Sequence, residues 1–256
     1  MVFFKGLLKL CNAMISIIMF VLLLTAGAYS VYALWDNNQI YTAADDVQSA
    51  MQSLKPVADS QEGDAGPSFE DLLAVNPDVC SWLTLDGTKI DYPILQGENN
   101  LTYINKDVFG NFALAGSIYL DSRNNRDFTD RYNLLYGHHM SESRMFGDLD
   151  LYKDQEFFEE NSTGTLITPG GVYELKIFAC LLAPAGEDRI FDPTRSQTNI
   201  NKLMSYVQNN AMYIRQDVMD QLSGEEPPRV LSCTTCSSEY TDARTILLAI
   251  MVPVSQ

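Results

Sequence analysis

The sequence predicts a mainly β fold, a closed or nearly closed barrel of eight strands, carried behind an N-terminal helical membrane span and with a helix added between late strands. Three observations predict it. About 25 residues from Leu10 to Trp35 carry no charge, enough to cross ~30 Å of hydrocarbon as a helix. Beyond residue 78, short apolar runs alternate with Gly, Pro and Asp turn signals, the pattern of a closed or nearly closed barrel. A single amphipathic stretch, "NINKLMSYVQNNAMYIRQDVMDQL", stands before the last two of those runs.

Taking the elements in order, Lys5 and Lys9 precede the apolar run while Asp36, Asp45 and Asp46 follow it. That bias keeps the N-terminus cytoplasmic and puts the rest of the chain outside, with Tyr29, Tyr32 and Trp35 suited to the outer interface. A cleaved signal peptide is the rival reading, with an apolar core of ~7 to 15 residues, shorter than this run. The span and cytoplasmic tip occupy residues 1–35. Residues 36–67 are polar and acidic, with weak helical spacing through Val47, Met51 and Leu54 and then a Gly/Pro/Asp stretch, read as a stalk of helix and linker. Ser68, followed three residues on by Asp71, opens a capped helix, and the folded domain is assigned to 68–256.

Eight β-type runs follow, from "SWLTL" and "KIDYPIL" through "GSIYLD", "YNLLYGHH", "GTLITP" and "VYELKIFACLLA" to "PRVLSCTT" and "RTILLAIMVPV". "DQEFFEEN" is a short helix. The amphipathic stretch, with Ile200, Leu203, Met204 and Val207 in register, is one helix covering a face of the barrel.

The formal net charge of −16 argues against nucleic acid as a partner, which needs clustered Lys and Arg. The five cysteines, Cys11, Cys80, Cys180, Cys233 and Cys236, are too few and too scattered for a disulfide scaffold. Along a strand, Val230, Ser232, Thr234 and Cys236 share one face, and Leu231, Cys233 and Thr235 the other. Cys233 and Cys236 therefore point opposite ways, ~10 Å apart, beyond the ~7 Å reach of a disulfide. A zinc centre lacks a second close ligand pair, and no cofactor is expected. Nucleophilic catalysis by a thiol remains: it needs a proton donor, available from His138 or His139, and an oxyanion stabiliser, available from Arg244.

These residues resemble the sortases, and class B in particular. "LLYGHHMSESRMFGDL" matches the family's Tyr-Gly-His-(His/Asn)-Met segment and the Met-Phe-Gly-Asp-Leu that follows it. "SCTTC" is similar to the Thr-Leu-x-Thr-Cys strand end, with Ser232 for threonine and Cys233 for leucine, and "CSSEYTDAR" gives the class B interval of eight residues from Cys236 to Arg244. The resemblance implies a membrane-anchored cysteine transpeptidase. Cys236 is the nucleophile, His138 the acid and base, and Arg244 holds substrate backbone and oxyanion; Thr234 and Thr235 line the substrate site. His139 is a hydrogen-bonded neighbour. The implied substrates are surface proteins or pilins with a C-terminal sorting signal, and the acceptor is an amine of a cell-wall precursor or a pilin lysine. Two alternatives share these residues: a cysteine endopeptidase that releases the same substrates, and a non-catalytic surface assembly module. A thiol at ~8.5 and an imidazole at ~6.5 are mostly neutral together at pH 7 when the two are not strongly coupled, so slow turnover and a bell-shaped pH profile are expected.

Overall fold

A computed structural model describes residues 2–57, 66–236 and 242–254, the side chains of 2, 3 and 236 excepted. The chain divides into two compact units, Met1–Ala43 and Ala44–Gln256. The first is the apolar part of α1, which runs Val2–Gln52. It is the one helix among the described residues long and apolar enough to cross a membrane, and Leu22, Leu23, Leu24 and Trp35 on it are exposed.

The second unit opens with the last turns of α1. The weak spacing of Val47, Met51 and Leu54 marks real burial: Met51 is 1% exposed, and all three pack with Leu72, Trp82 and Tyr103. The linker predicted after them falls largely on residues 58–65, outside the described residues. α2, Phe69–Val75, starts as expected: the Ser68 hydroxyl accepts from the Asp71 amide, and the Asp71 carboxylate accepts from the Ser68 amide, a reciprocal cap.

The barrel comprises β1 (Val79–Leu85), β2 (Asp91–Leu95), β3 (Ile118–Leu120) and β4 (Tyr132–Tyr136). A two-residue hairpin follows, β5 (His139–Met140) and β6 (Arg144–Met145), then a 3-10 helix, Gly147–Lys153, and α3, Gln155–Glu160. β7 (Thr163–Thr168) and the long β8 (Gly171–Pro184) come next. Then come α4 (Asp188–Phe191), α5 (Pro193–Thr198), α6 (Ile200–Asn210), β9 (Ala211–Ile214), α7 (Gln216–Met219), β10 (Arg229–Cys236) and β11 (Ala243–Pro253). The sheet order is β11-β10-β4-β3-β2-β1-β7-β8-β9, and β11 also pairs with β8. Eight strands therefore close on themselves and β9 is a ninth at the rim, so the eight-stranded barrel expected from the sequence is borne out.

Closure explains the unbroken apolar run of β11. Leu247, Ala249 and Met251 face the inner core with Leu135, Leu231 and Cys233. Ile246, Leu248 and Ile250 face outward beneath Leu203, Val207 and Leu222. A strand covered on both faces has no polar side to show. One expectation is corrected here: residues 199–222 are not one helix. After α6 the chain becomes β9, whose Ile214 and Tyr213 pair with Ala179 and Cys180, before α7 begins. The run Ala-Met-Tyr-Ile has high β propensity and lies at an open strand edge of β8, so ladder hydrogen bonds outweigh continued helix.

Candidate active site

Three strand ends meet on one side of the barrel. β4 and β10 run parallel, with Thr234 beside Tyr136, and the Gly137 amide donates to the Thr234 carbonyl at 3.2 Å. That bond holds the chain leaving β4 against β10, and His138 follows directly. β10 and β11 are antiparallel and in register to their last rung, Cys236 opposite Arg244. The Cys236 side chain lies outside the described residues.

Two glycines make the histidine segment possible. A Cβ on Gly137 would lie 2.6 Å from the buried Phe146 ring, and one on Gly147 would lie 2.1 Å from the Met140 carbonyl oxygen. The hairpin therefore folds tightly back on His138, whose carbonyl accepts from the Phe146 amide at 3.0 Å. Its turn is left-handed at Glu142 (φ 60°) and Ser143 (φ 63°). A fork from Arg144 to Asp45, at 2.6 and 2.7 Å, ties the hairpin to the end of α1. Tyr92 adds a second link, donating to the Gln48 side chain and accepting from the Met145 amide, each at 3.0 Å.

His138, Thr234, Thr235 and Arg244 line one cleft of about 270 Å³, with Ile104, Tyr119, Tyr136 and Phe191 among its walls. His138 Nε2 lies 2.7 Å from the Ile104 carbonyl oxygen. A carbonyl only accepts, so Nε2 carries the proton and Nδ1 is left for exchange. The Thr234 hydroxyl donates to the Leu135 carbonyl at 2.8 Å, whereas the buried Thr235 hydroxyl has no partner among the described residues. Arg244 donates to the Ala243 carbonyl at 2.9 Å and makes no ion pair with a described carboxylate. His139 Nε2 meets Asp150 Oδ2 at 3.0 Å.

Burial separates the thiols. Cys80 and Cys233 are enclosed in the core, and burial pushes each thiol up to about 12. Neither forms thiolate near neutrality, and Cys233 occupies the inward position expected from strand alternation. The cleft also has an aromatic wall. Tyr119 and Tyr136 have ring centroids 5.4 Å apart, and Tyr136 stacks on Phe191 at 6.5 Å. An ion pair between the buried Asp121 and the exposed Arg123 supports both sides of that wall. Asp121 takes a fork from Arg123 at 2.8 and 2.7 Å and the Tyr136 hydroxyl at 3.1 Å, while Arg123 also donates to the Phe191 carbonyl at 2.7 Å. The sequence carried one hint of this, Tyr136 two residues before His138. Ile104 arrives from the loop after β2 and Phe191 from the end of α4, and neither has a local signature.

Solved structures similar to this one include class B sortases. A class B sortase of Streptococcus pyogenes, described as involved in pilus biogenesis, superposes with a TM-score of 0.64 at 37% identity, covering 72% of this chain and 97% of that one. A sortase B from the type II pilus of Streptococcus pneumoniae gives 0.58 at 34%, covering 73% and 99%. Sortase B of Listeria monocytogenes is 29% identical over 216 residues, 84% of this chain and 85% of that one. No family model matches. Fold and site thus define a cysteine transpeptidase. The chain belongs to the class B sortases.

Proposed function

We propose that this enzyme joins pilin-like surface proteins through a C-terminal sorting signal, with Cys236 as nucleophile, His138 as acid and base, and Arg244 as oxyanion partner. The observation that carries the assignment is the cleft in which His138 and Arg244 converge, with Cys236 on the rung opposite Arg244. The Cys236 thiolate attacks the carbonyl carbon of a Thr-Gly or Thr-Asn bond. Negative charge builds on the carbonyl oxygen, where the guanidinium of Arg244 stabilises it. His138, oriented by its bond to Ile104, gives a proton from Nδ1 to the departing amine, and a thioester remains on Cys236. An incoming amine loses its proton to the same nitrogen as it attacks the thioester and frees the enzyme. Thr234 and Thr235 form the cleft floor beneath the substrate.

Pilin polymerisation is favoured over attachment to cell-wall precursor because the S. pyogenes and S. pneumoniae pilus sortases share more identity with the chain than the Listeria protein does. We place the N-terminus in the cytoplasm, residues 1–35 as tip and span, and the catalytic unit outside, from the Lys and Asp distribution around the apolar run. Residues 68–256 form the catalytic barrel in this reading. Quenched fluorescent peptides spanning a Thr-Gly or Thr-Asn bond test the assignment. Wild type should cleave them and, with an added lysine-like amine, form amide product; Cys236→Ala should do neither. Cleavage by the Cys236→Ala variant refutes the nucleophile, and hydrolysis without amide product refutes transpeptidation.

A further inference from the structure

His138 and Arg244 each stand one residue from a side chain held by the same carboxylate. Asp150, on the 3-10 helix below the cleft, takes His139 Nε2 at 3.0 Å on Oδ2 and the Thr245 hydroxyl at 2.9 Å on Oδ1. His139 belongs to the hairpin after β4, and Thr245 is the third residue of β11, wholly buried and opposite Thr235. Two chain segments that share no strand pairing are thereby joined beneath the proposed catalytic groups.

We propose that Asp150 is a positioning residue that sets the spacing between His138 and Arg244 by holding their neighbours His139 and Thr245. This rests on the catalytic assignment above. The groups facing Asp150 are His139 from the hairpin, Thr245 from β11, and Lys153 of its own helix, whose ammonium lies 2.8 Å from Oδ1. Burial alone would raise this carboxyl, but the bonds from His139, Lys153 and Thr245 outweigh it and hold it at about 2. The carboxylate is therefore charged throughout the working range, and both tethers stay engaged. His138 retains its own bonds to Ile104 and Phe146, so losing Asp150 should misplace it by a fraction of an ångström and leave folding intact. Displacement of about 1 Å costs on the order of a hundredfold in a well-oriented site, so a smaller one predicts roughly tenfold.

The test uses the full chain in detergent and needs no natural substrate: the rate of Cys236 alkylation by iodoacetamide is followed by mass spectrometry from pH 5 to 10. A thiolate paired with His138 alkylates at lower pH than an isolated thiol, so His138→Ala should shift the profile upward. Asp150→Ala should move it in the same direction and slow labelling at pH 7 by roughly tenfold, with a melting temperature close to wild type. His139→Gln, whose amide can donate to Asp150, should stay within about threefold of wild type. His139→Ala combined with Asp150→Ala should be no slower than Asp150→Ala alone, since both act through one contact. With Thr-Gly or Thr-Asn peptides, Asp150→Ala should lower kcat and leave KM unchanged. An Asp150→Ala profile that superposes on wild type while His138→Ala shifts overturns this inference alone. A His138→Ala profile that superposes on wild type removes the catalytic assignment, and the inference with it.

Discussion

Replacing Gly147 by alanine should disable the enzyme by moving its histidine, although Gly147 touches no reacting group. The new methyl would lie 2.1 Å from the Met140 carbonyl oxygen, where carbon and oxygen normally stay about 3.3 Å apart. Relief requires the hairpin and the 3-10 helix to separate by more than about 1 Å. The obstructing atom is backbone, so no rotamer change removes the clash. Overpacking of this kind costs about 3 kcal/mol, and at ~2 to 4 °C per kcal/mol for a domain of this size the melting temperature should fall by ~6 to 12 °C. Met140 is two residues from His138, so peptide cleavage by the folded fraction should fall at least tenfold, by the same misplacement argument. Gly186→Ala is the control, because a methyl there meets nothing within 4 Å; its stability should stay within about 1 kcal/mol of wild type. Thermal melting by circular dichroism and turnover of the quenched peptide read both effects. A Gly147→Ala enzyme that melts within 2 °C of wild type and turns over normally would refute the reasoning.

Acid should destabilise the barrel through Asp150 and Asp121. Both carboxyls are held low in the folded state by the hydrogen bonds that outweigh their burial. The unfolded chain therefore binds more protons, so their contribution is full above an unfolded value of ~3.9 and lost as pH falls, through about 2 for Asp150. For Asp150 the shift corresponds to at most ~2 to 3 kcal/mol, and about half that after solvent screening. Urea titrations between pH 7 and 2 should show Asp150→Asn losing less stability than wild type; equal slopes would contradict it. Cys233→Ala should retain peptide cleavage while losing about 1 to 2 kcal/mol from the core, and loss of cleavage in a folded variant would mean that the wrong thiol has been assigned. Tyr132→Phe removes a buried bond of 2.9 Å to the Ile190 carbonyl and leaves that acceptor unpaired. It should cost about 1 to 3 kcal/mol by denaturant melting, and no loss would show that the bond to α4 contributes nothing.

Strands were legible because their alternation, or its absence in β11, follows directly from which faces are covered. Leu231 and Cys233 face the core while Val230 faces outward, as residue parity requires. The break between α6 and β9 was hidden because Met212, Tyr213 and Ile214 fit a helical stripe as well as a strand, and only the free edge of β8 decides between them. At the site, the "YGHH" and "CTTC" segments carry their own signals, since strand ends and glycines constrain local sequence. Ile104 and Phe191 do not, because each reaches the cleft by long-range packing that nothing in the adjoining residues marks. Asp150 directly follows the "MFGDL" segment, but the groups it holds come from the hairpin and from β11. The hairpin His139–Met145 has no sequence signal, because its strands are two residues each and its turn relies on left-handed Glu142 and Ser143 rather than glycine.

The pairing of β10 with β11 bears on how this enzyme can change over evolutionary time. The register runs unbroken from Arg229 opposite Met251 to Cys236 opposite Arg244, so the two residues meet because they share a rung. The interval of eight residues between them records only the length of the connection. Doubling a loop costs about 0.6 kcal/mol in closure entropy, so inserted segments can be accepted there without parting the pair. Deleting one residue within β11, by contrast, would shift every rung and bury the wrong face. The connection is thus open to diversification toward new partners, while the strands on either side are not.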